Sequence, residues 1–540
     1  MALERSDLTP PGGGGEPAER PVLVIGAGIN GLASAAYLAR AGRRVLVLEG
    51  RNRLGGMAAS VRLDDGPVVS ECAHLVTALH PDVMSELGLY RHGLRFSHRR
   101  LPTMLLKPGT TLALSEDPWE AEAAIAEIAP GDARAYRRFL ELVRRFHEAL
   151  DPLIANPPAR LGGDEAALNE AAHLLGARIG RVSERDFAAL ATMLAAPVAE
   201  VLDGYFASPF LKGGLAFDGV IGAFAAPSWN GTFLSFLQRR FASVSGRWGA
   251  CGHPAGGLGA LADAFWNAAR ANGAELRLNA RVSRIAVDGD RVAGVVLTTG
   301  EEIAADIVVS TLHPHATFLE LVGARHVDVG FAEDLAHLES RGSVARLTFV
   351  IEGLPRLGTH QDEPAPAGRF VIAPDLGYLE RALTPAKFGA TPAEPAVEFA
   401  IPSVHDASMQ HEGRHIVTAL ALHAPLRAAE TDETRAAFAD AVTQTITRVM
   451  PDFRRRVRRA EVLMPRDIEE RFGARGGHWH HIDLVPDQAW CLRPHARAAA
   501  YRGPLDGLYL AGASSHPWGG VSGLPGRGAA FAILKDRGWG

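Results

Sequence analysis

The chain has few cysteines: its 540 residues include only Cys72, Cys251 and Cys491, which are far apart and form no Cys-x-x-Cys pair. This spacing argues against a disulfide framework, a redox-active dithiol and a zinc knuckle. So few thiols are typical of a protein in a reducing compartment, and we expect a cytoplasmic location.

A hydrophobic run long enough for a transmembrane helix is also missing. The best uncharged stretch, residues 219–238, is interrupted by the sequence PSWNG at 227–231, which would expose polar backbone to lipid. We interpret this stretch as buried core or pocket wall, and a peripheral membrane contact stays open. Residues 1–19 lack the apolar core of a signal peptide, and we expect a disordered leader.

The sequence has little net charge. Its formal value of −5 gives no general electrostatic reason to bind nucleic acid, and we expect no such partner. Lysine is rare, at four of the 56 basic residues. With 540 residues, 47% of them hydrophobic, the chain is long enough for two or three domains with a sizeable core.

What the chain does contain is a complete β-α-β pattern over residues 21–50. Two short apolar runs, Val22–Ile25 and Val45–Leu48, predict buried strands, and Leu32–Ala41 has the spacing of a helix. This alternation predicts an α/β fold with a Rossmann-like domain.

The first turn of this pattern carries Gly-x-Gly-x-x-Gly, formed by Gly26, Gly28 and Gly31. Gly26 permits the tight turn, Gly28 lets a pyrophosphate approach the backbone, and Gly31 lets the helix pack on the strand. Glu49 ends the second strand, where a carboxylate can accept both hydroxyls of a ribose; the alternative is a surface acid. The pattern predicts a dinucleotide site.

A second glycine turn, Arg53-x-Gly55-Gly56, follows the acid directly. This arrangement favours FAD over NAD, because the pyrophosphate and ribityl chain of FAD continue past the first motif. The Gly-Gly-x-Gly sequence at 256–259 has no preceding strand, so we expect no separate NAD(P) domain.

The remaining chain predicts an interleaved organisation. Residues 117–150 read as amphipathic helices broken at Pro130, with Asp132 as an N-cap, and 164–203 are again helical. A second βα pattern opens with a helix at Leu258–Ala271, and later runs such as Ala345–Ile351 predict strands. We divide the chain into a discontinuous FAD-binding domain (20–75, 253–315 and 496–540) and an α+β substrate-binding domain (76–252 and 316–495).

Three segments, 26–58, 254–285 and 507–534, resemble the flavin-binding segments of phytoene dehydrogenase-like FAD-dependent oxidoreductases, within the amine oxidase superfamily. The sequence GGHWHHIDLVPDQAWCLRP, residues 476–494, is similar to the branch that contains the pyridine nucleotide-disulfide oxidoreductase domain proteins. The resemblance implies an FAD held in an extended shape across the discontinuous domain.

Further cofactor contacts follow from that resemblance. It implies that the backbone of Val282 holds the adenine, and that Gly512, Gly520 and Val521 lie against the ribityl and pyrimidine portion of the flavin. Many relatives have an acidic residue where this chain has Ala513, which argues against a carboxylate contact to the ribityl chain.

The resemblance also implies hydride exchange between a substrate carbon and flavin N5. We expect His480 and His516 near the flavin, as proton acceptor or substrate orienter; the alternative is that they bond backbone or ribityl hydroxyls. His478, Trp479 and Trp518 are expected to line the substrate pocket.

Other assignments are weaker. His74 is a lesser candidate that is more typical of a structural role. We predict no metal site, because no further ligand pattern supports His478, His480 and Asp483. The lysine that amine oxidases place near N5 has no evident counterpart, which argues against amine oxidation.

Together these features predict an FAD-dependent desaturase or dehydrogenase acting on a hydrophobic or polycyclic small molecule. Such an enzyme needs an external electron acceptor, such as oxygen or a quinone. The alternatives are a redox-neutral alkene isomerase or saturase, and a non-catalytic FAD-bound interaction protein.

Overall fold

The structure is a computed structural model. It describes residues 20–539 apart from 65, 159, 161–168, 170–172, 174–182, 241–248 and 428. The predicted leader at 1–19 and most of the first half of the predicted 164–203 helical segment lie outside the described residues.

The strands are short in the first half of the chain and longer in the second. In chain order they are β1 (Val22–Ile25), β2 (Val45–Leu48), β3 (Ser60–Arg62), β4 (Val68–Ser70), β5 (Phe96–His98), β6 (Thr103–Lys107), β7 (Thr110–Leu114), β8 (His253–Pro254), β9 (Glu275–Arg277), β10 (Val282–Asp288), β11 (Arg291–Leu297), β12 (Glu302–Ala304), β13 (Val308–Ser310), β14 (Val344–Glu352), β15 (Arg356–Leu357), β16 (His360–Pro364), β17 (Arg369–Ile372), β18 (Val397–Ala400), β19 (Arg414–Leu422), β20 (Val457–Leu463) and β21 (Leu508–Leu510).

Much of the described part of the region between residues 118 and 240 is helical. The helices are α1 (Ile29–Arg40), α2 (Pro81–Glu86), α3 (Pro118–Ile128), α4 (Pro130–Ala155), α5 (Glu184–Leu194), α6 (Val198–Asp203), α7 (Pro209–Val220), α8 (Thr232–Arg240), α9 (Leu258–Ala271), α10 (Val329–Ala336), α11 (Leu376–Ala386), α12 (Asp432–Thr447), α13 (Phe453–Arg456), α14 (Pro465–Phe472) and α15 (Leu524–Arg537), and a π-helical segment covers Ala316–Gly323.

Five parallel strands form the first sheet, in the order β21-β13-β1-β2-β9. The strands come from three distant parts of the chain, because β1 and β2 precede residue 50, β9 and β13 lie between 275 and 310, and β21 is near the carboxyl end. The sheet thus draws on all three segments that the sequence assigns to the FAD-binding domain.

The strands of this sheet are apolar throughout because both faces are covered. In β1, Val22 and Val24 face a core shared with α1, α9 and α15, whereas Leu23 and Ile25 face a core shared with β10 and β11. All four residues of β1, VLVI, are apolar because each face of the strand packs against a hydrophobic core.

A seven-stranded sheet, β20-β14-β19-β18-β17-β6-β7, forms the second large layer. Its neighbours are antiparallel except for the parallel pair β17 and β6. Strands β14 and β19 are buried along nearly their whole length, with α12 packed against the same core. The predicted strand at Ala345–Ile351 lies within β14.

One predicted cap is wrong. The helices do break at Pro130, but α4 begins there with Ala129 at the N-cap, and Asp132 lies inside its first turn. The Asp132 carboxylate instead accepts hydrogen bonds from the backbone N–H groups of Ala207 and Ser208, at 2.9 and 2.7 Å. It joins α4 to the start of α7, a contact across 75 residues that local sequence does not indicate.

Residues 219–238 form the end of α7, a turn and most of α8, and they are largely buried, as the interrupted pattern predicts. Within the described residues, no helix combines the length and apolar character needed to cross a membrane.

Candidate active site

A cavity of about 840 Å³ runs from the carboxyl ends of β1 and β2 to the buried face of the second sheet. Its volume lies in the upper part of the range typical of small-molecule sites, roughly 300–1,000 Å³. Glu49 and Val282 line one end, and Ile221 and Leu420 line the other. The carboxyl edge of a parallel sheet is where α/β folds bind nucleotides.

The two outer glycines of the first turn serve packing. Gly26 has φ +99°, a conformation that favours glycine. At Gly31 a Cβ atom would overlap the carbonyl oxygen of Gly26, so this position lets α1 approach the turn.

The middle glycine faces empty space. A Cβ atom at Gly28 would meet no other atom within 4 Å, and this residue, Ile29 and Gly31 line the cavity. Gly28 is also the N-cap of α1 and supplies no side-chain acceptor. The free N–H groups of the first turn therefore point to an anion site at the start of α1.

Glu49 lies at the end of β2 and is 8% exposed. Its carboxylate accepts hydrogen bonds from the backbone N–H groups of Ala27 and Arg51, both at 2.8 Å. These contacts hold the side chain in the cavity wall. Val282, the first residue of β10, lines the same end.

The second glycine turn packs on the first. The N–H of Gly55 donates to the carbonyl of Ala27 at 2.8 Å, and Gly56 lines the cavity beside Gly28. Arg53 is absent from the cavity wall; its guanidinium pairs with Glu71 at 3.2 Å. The structure thus gives Arg53 a supporting position outside the cavity.

The glycine-rich loop after β21 reaches the other end of the cavity. Trp518, Gly520 and Val521 line it, and Val521 has φ +59°. Gly512 lies behind them, where a Cβ atom would come within 2.7 Å of the carbonyl oxygen of Thr311. This residue sets the approach of the loop to the sheet edge without lining the cavity.

His516 is not brought to the cavity. It is 1% exposed, and its Nε2 lies 2.9 Å from the carbonyl oxygen of Leu153, in the last turn of α4. The last carbonyls of a helix lack intrahelical partners, and this ring nitrogen satisfies one of them. Burial lowers the pKa of His516 to about 4, so the neutral ring is the state that makes this bond.

His480 does line the cavity. The ring lies between two glycines: a Cβ atom at Gly222 would be 3.1 Å from its Nε2, and one at Gly519 would be 3.0 Å from its Nδ1. Nδ1 is buried and has no hydrogen-bond partner among the described residues. Burial holds the pKa of His480 well below its usual range, so the ring is neutral.

The two residues before His480 have different positions: one lines the cavity, and the other bonds the backbone behind it. Trp479 lines the cavity, whereas His478 does not. The Nδ1 atom of His478 accepts a hydrogen bond from the backbone N–H of His480 at 3.1 Å, and its Nε2 lies 3.1 Å from Asp483. In the part of the chain that the structure describes, no group of three or more His, Cys, Asp or Glu side chains could hold a metal ion.

A family model described as flavin containing amine oxidoreductase matches residues 29–345, more than half of the chain. The chain belongs to this family. It is an FAD-dependent oxidoreductase with an α/β, Rossmann-like FAD-binding fold, as the sequence motifs predict.

Relatives within the family cover almost the whole chain. The pyridine nucleotide-disulfide oxidoreductase domain-containing protein 2 of Rattus norvegicus is 33% identical over 549 residues, covering 96% of this chain and 94% of that protein. A phytoene desaturase (lycopene-forming) of Pantoea ananas is 26% identical, covering 96% and 99%. Among solved structures, cyclohexylamine oxidase from Brevibacterium oxydans IH-35A aligns with a TM-score of 0.58 at 16% identity, covering 96% and 100%.

The residues that line the cavity of this chain fit a bound FAD. The open space at Gly28 suits a pyrophosphate, and the carboxylate of Glu49 suits a ribose at the same end. Three residues of the cavity wall have a buried polar side-chain atom that lacks a hydrogen-bond partner within the described part of the chain: Asn30, His313 and His481. Such atoms are costly unless a bound polar ligand satisfies them.

Sequence reasoning missed His313, and it considered His481 only as a member of the histidine cluster with His478 and His480. The rings of His313 and His481 are 6.0 Å apart and line the cavity. His313 follows β13, at the same sheet edge as the glycine turn. Its position just after the short apolar run Ile307–Val309 is the signal that could have found it. His481 has φ +66°, which only the folded loop reveals.

Sequence reasoning also missed a polar group at the far end, formed by Gln238 and Arg239, which line the cavity near His74. The Nε2 atom of His74 lies 2.8 Å from Glu398, and its Nδ1 lies 3.2 Å from Thr418. These partners are more than 300 residues away in sequence, which is why no local motif marks them.

Proposed function

We propose that this FAD-dependent oxidoreductase is a desaturase or dehydrogenase that oxidises a C–C bond of a hydrophobic small molecule. The observation that carries the proposal is the character of the cavity beyond the flavin loop. Its wall there includes Ile221, Leu420, Leu484 and Trp479. His480, whose Nδ1 has no hydrogen-bond partner among the described residues, lines the same cavity.

Bound FAD supplies the acceptor for a hydride at N5. Desaturation then releases a proton from the neighbouring carbon, and the Nδ1 of His480 is the proposed acceptor. A neutral imidazole nitrogen can accept a proton, and the ring of His480 lies in the cavity wall. Trp479 and Trp518 are proposed to hold the carbon skeleton against the flavin and to exclude water.

The positions of the lysines favour oxidation of a C–C bond over oxidation of an amine. None of Lys107, Lys212, Lys387 and Lys535 is part of the cavity wall. The phytoene desaturases among the relatives support it as well, although their identity to this chain is low. The proposal also includes a hydrophobic small-molecule substrate and an external electron acceptor, such as oxygen or a quinone, that reoxidises the flavin.

The test is anaerobic reduction of the bound flavin by a panel of polyenes, dihydroaromatics, acyl chains and amines. We expect a hydrocarbon-rich compound to bleach the flavin absorbance and amines to leave it unchanged. Conversion of a compound without bleaching would support an isomerase instead, and bleaching by amines alone would overturn the proposal.

A further inference from the structure

A short part of the cavity wall comes from residues that by sequence belong to the substrate-binding domain. It consists of the end of α14 and the turn after it. The residues that line the cavity here include Arg471, Phe472, Gly473 and Arg475. We call residues 471–475 the arginine segment. Neither glycine motif indicates what this segment binds.

One end of the arginine segment lies beside the second glycine turn. The guanidinium carbon of Arg51 lies over the ring of Phe472, 5.0 Å from its centroid. Met57, which directly follows the second glycine turn, belongs to one hydrophobic cluster with Phe472 and Ala474. Since the second turn packs on the first, the segment is placed close to the start of α1.

The other end of the arginine segment approaches the edge of the first sheet. Burial lowers the pKa of His313 well below its usual range, and the nearby His481 and Arg475 lower it further. His313 follows Thr311 by two residues, and the side chain of Thr311 lies against Gly26 of the first glycine turn. The segment thus extends from one glycine turn towards the other.

Two guanidinium groups of the arginine segment lack a partner among the described residues. Arg471 is exposed and Arg475 is half-buried, and neither side chain makes a hydrogen bond or an ion pair there. The acids beside them are engaged, because Glu469 and Glu470 pair with Arg466 at 3.1 and 3.0 Å. The two arginines are therefore available to a bound anion.

A buried donor lies in the cavity wall near Arg475. His313 is 2% exposed, and its Nδ1 accepts a hydrogen bond from the backbone N–H of His315 at 3.1 Å. The proton of the neutral ring is then on Nε2, which is buried without a partner within the described part of the chain. Such an N–H group requires an acceptor, which a ligand oxygen would provide.

We propose that Arg471 and Arg475 bind the diphosphate of FAD, together with the first turn of α1, and that the Nε2–H of His313 donates to the same group. The diphosphate is the anionic part of FAD, and arginine binds phosphate oxygens through paired, charge-assisted hydrogen bonds. The substrate-binding segment of the chain would then also hold the cofactor. This inference does not depend on which compound the enzyme oxidises.

The first test is the affinity of the full chain for FAD, measured by equilibrium dialysis of the holoenzyme. We expect Arg475→Gln to raise the dissociation constant about tenfold, in line with the loss of a hydrogen bond to a charged group. Arg471→Gln should raise it about threefold, because its side chain is exposed and solvent weakens the contact. A double variant with the affinity of the wild type would overturn the inference.

The second test locates the contact within FAD by phosphorus NMR of the holoenzyme at saturating FAD. In Arg475→Gln we expect at least one resonance of the diphosphate to move, while the visible absorbance of the flavin keeps its shape. The opposite result, a changed flavin spectrum with unmoved phosphorus resonances, would place the arginine at the flavin ring and contradict the proposal.

Two further variants serve as controls. Arg284, in β10, also lacks a hydrogen bond or ion pair within the described residues but does not line the cavity, so Arg284→Gln should keep both the affinity and the resonances. Arg475→Lys covers the case in which Arg475→Gln does not fold. It keeps the charge without the planar fork, and it should move the phosphorus resonances while retaining FAD. Unmoved resonances in Arg475→Lys would also overturn the inference.

Discussion

Gly28 and Gly31 show that one turn can contain glycines for different reasons. At Gly31 a side chain would overlap the protein itself, whereas at Gly28 it would enter only the space that the cofactor needs. Gly28 has φ −71° and ψ 170°, which any residue adopts. Replacing Gly28 should therefore affect FAD binding more than folding.

We expect Gly28→Val to fold and to lose bound FAD, because its branched side chain fills the pyrophosphate cradle. The ratio of flavin to protein absorbance after purification measures this, with far-UV circular dichroism as the check on folding. Gly131→Val, at another glycine whose Cβ would meet nothing within 4 Å, should keep its FAD. A fully loaded Gly28→Val protein would mean that the pyrophosphate lies elsewhere.

Replacing His480 should affect catalysis and replacing His516 should affect stability, since only His480 lines the cavity. We expect His480→Ala to keep its FAD and to slow anaerobic flavin reduction by about 100-fold or more, the range of general-base loss. His516→Ala should leave that rate nearly unchanged and lower stability by about 1–3 kcal/mol, because the Leu153 carbonyl loses its partner. Stopped-flow reduction and denaturant unfolding measure the two effects, and the opposite pattern would reverse the assignment.

At the scale of elements, the flavin end is built from two irregular segments that one arginine joins. Arg493 is 1% exposed, and its guanidinium donates to the carbonyls of His480 and Asp483 at 3.0 and 3.2 Å and to that of Ala513 at 3.1 Å. It thus connects the segment that carries His480 to the loop that carries Trp518.

We expect Arg493→Lys to destabilise the protein by about 3 kcal/mol or more, even though it preserves the charge. A lysine has a compact ammonium group and cannot reproduce the planar fork of five donors. Thermal unfolding of the holoenzyme measures the effect, and Arg144→Lys on the surface serves as the control, with an expected change within about 0.5 kcal/mol. A wild-type melting temperature for Arg493→Lys would show that the two segments are held independently.

The elements also show how far the sequence could predict this structure. The glycine turns, α9 and the strands β1, β2 and β14 follow local patterns, and the structure has them within a few residues of the predicted bounds. The Arg239–Glu398 pair spans 159 residues and His74–Glu398 spans 324. Such contacts depend on how the second sheet packs over α8, which no local pattern contains.

His516 makes the complementary point, because its ring bonds a backbone carbonyl, which is the alternative that the sequence left open. Its position in a glycine-rich flavin loop indicates proximity to the cofactor, but the direction of its side chain depends on the end of α4, 363 residues earlier. The sequence motif predicts where the loop lies, but tertiary packing determines which of its side chains reach the cavity.

For the molecule as a whole, buried neutral histidines make stability depend on pH. Burial lowers the pKa of His253, His423 and His481 to about 3 and that of His516 to about 4. An unfolded chain protonates these residues below its ordinary histidine pKa of about 6.5, whereas the folded chain does not. Stability is therefore fully present above pH 6.5 and falls as the pH decreases towards 4.

We expect the melting temperature to fall steadily between pH 6.5 and about 4, since each such histidine contributes a slope of up to about 1.4 kcal/mol per pH unit. His423 is fully buried, neither ring nitrogen has a hydrogen-bond partner among the described residues, and its φ is +62°, which asparagine tolerates. His423→Asn should reduce the slope over this range. An unchanged slope would mean that His423 titrates normally in the folded protein.

In the proposed reaction, the bound flavin removes two hydrogens from adjacent carbons of an apolar compound. The most direct measurement combines anaerobic titration of the holoenzyme with mass spectrometry of the consumed compound. We expect one product molecule lacking two hydrogens for each flavin that is reduced. A product of unchanged mass formed with the flavin still oxidised, or an imine formed from an amine, would contradict it.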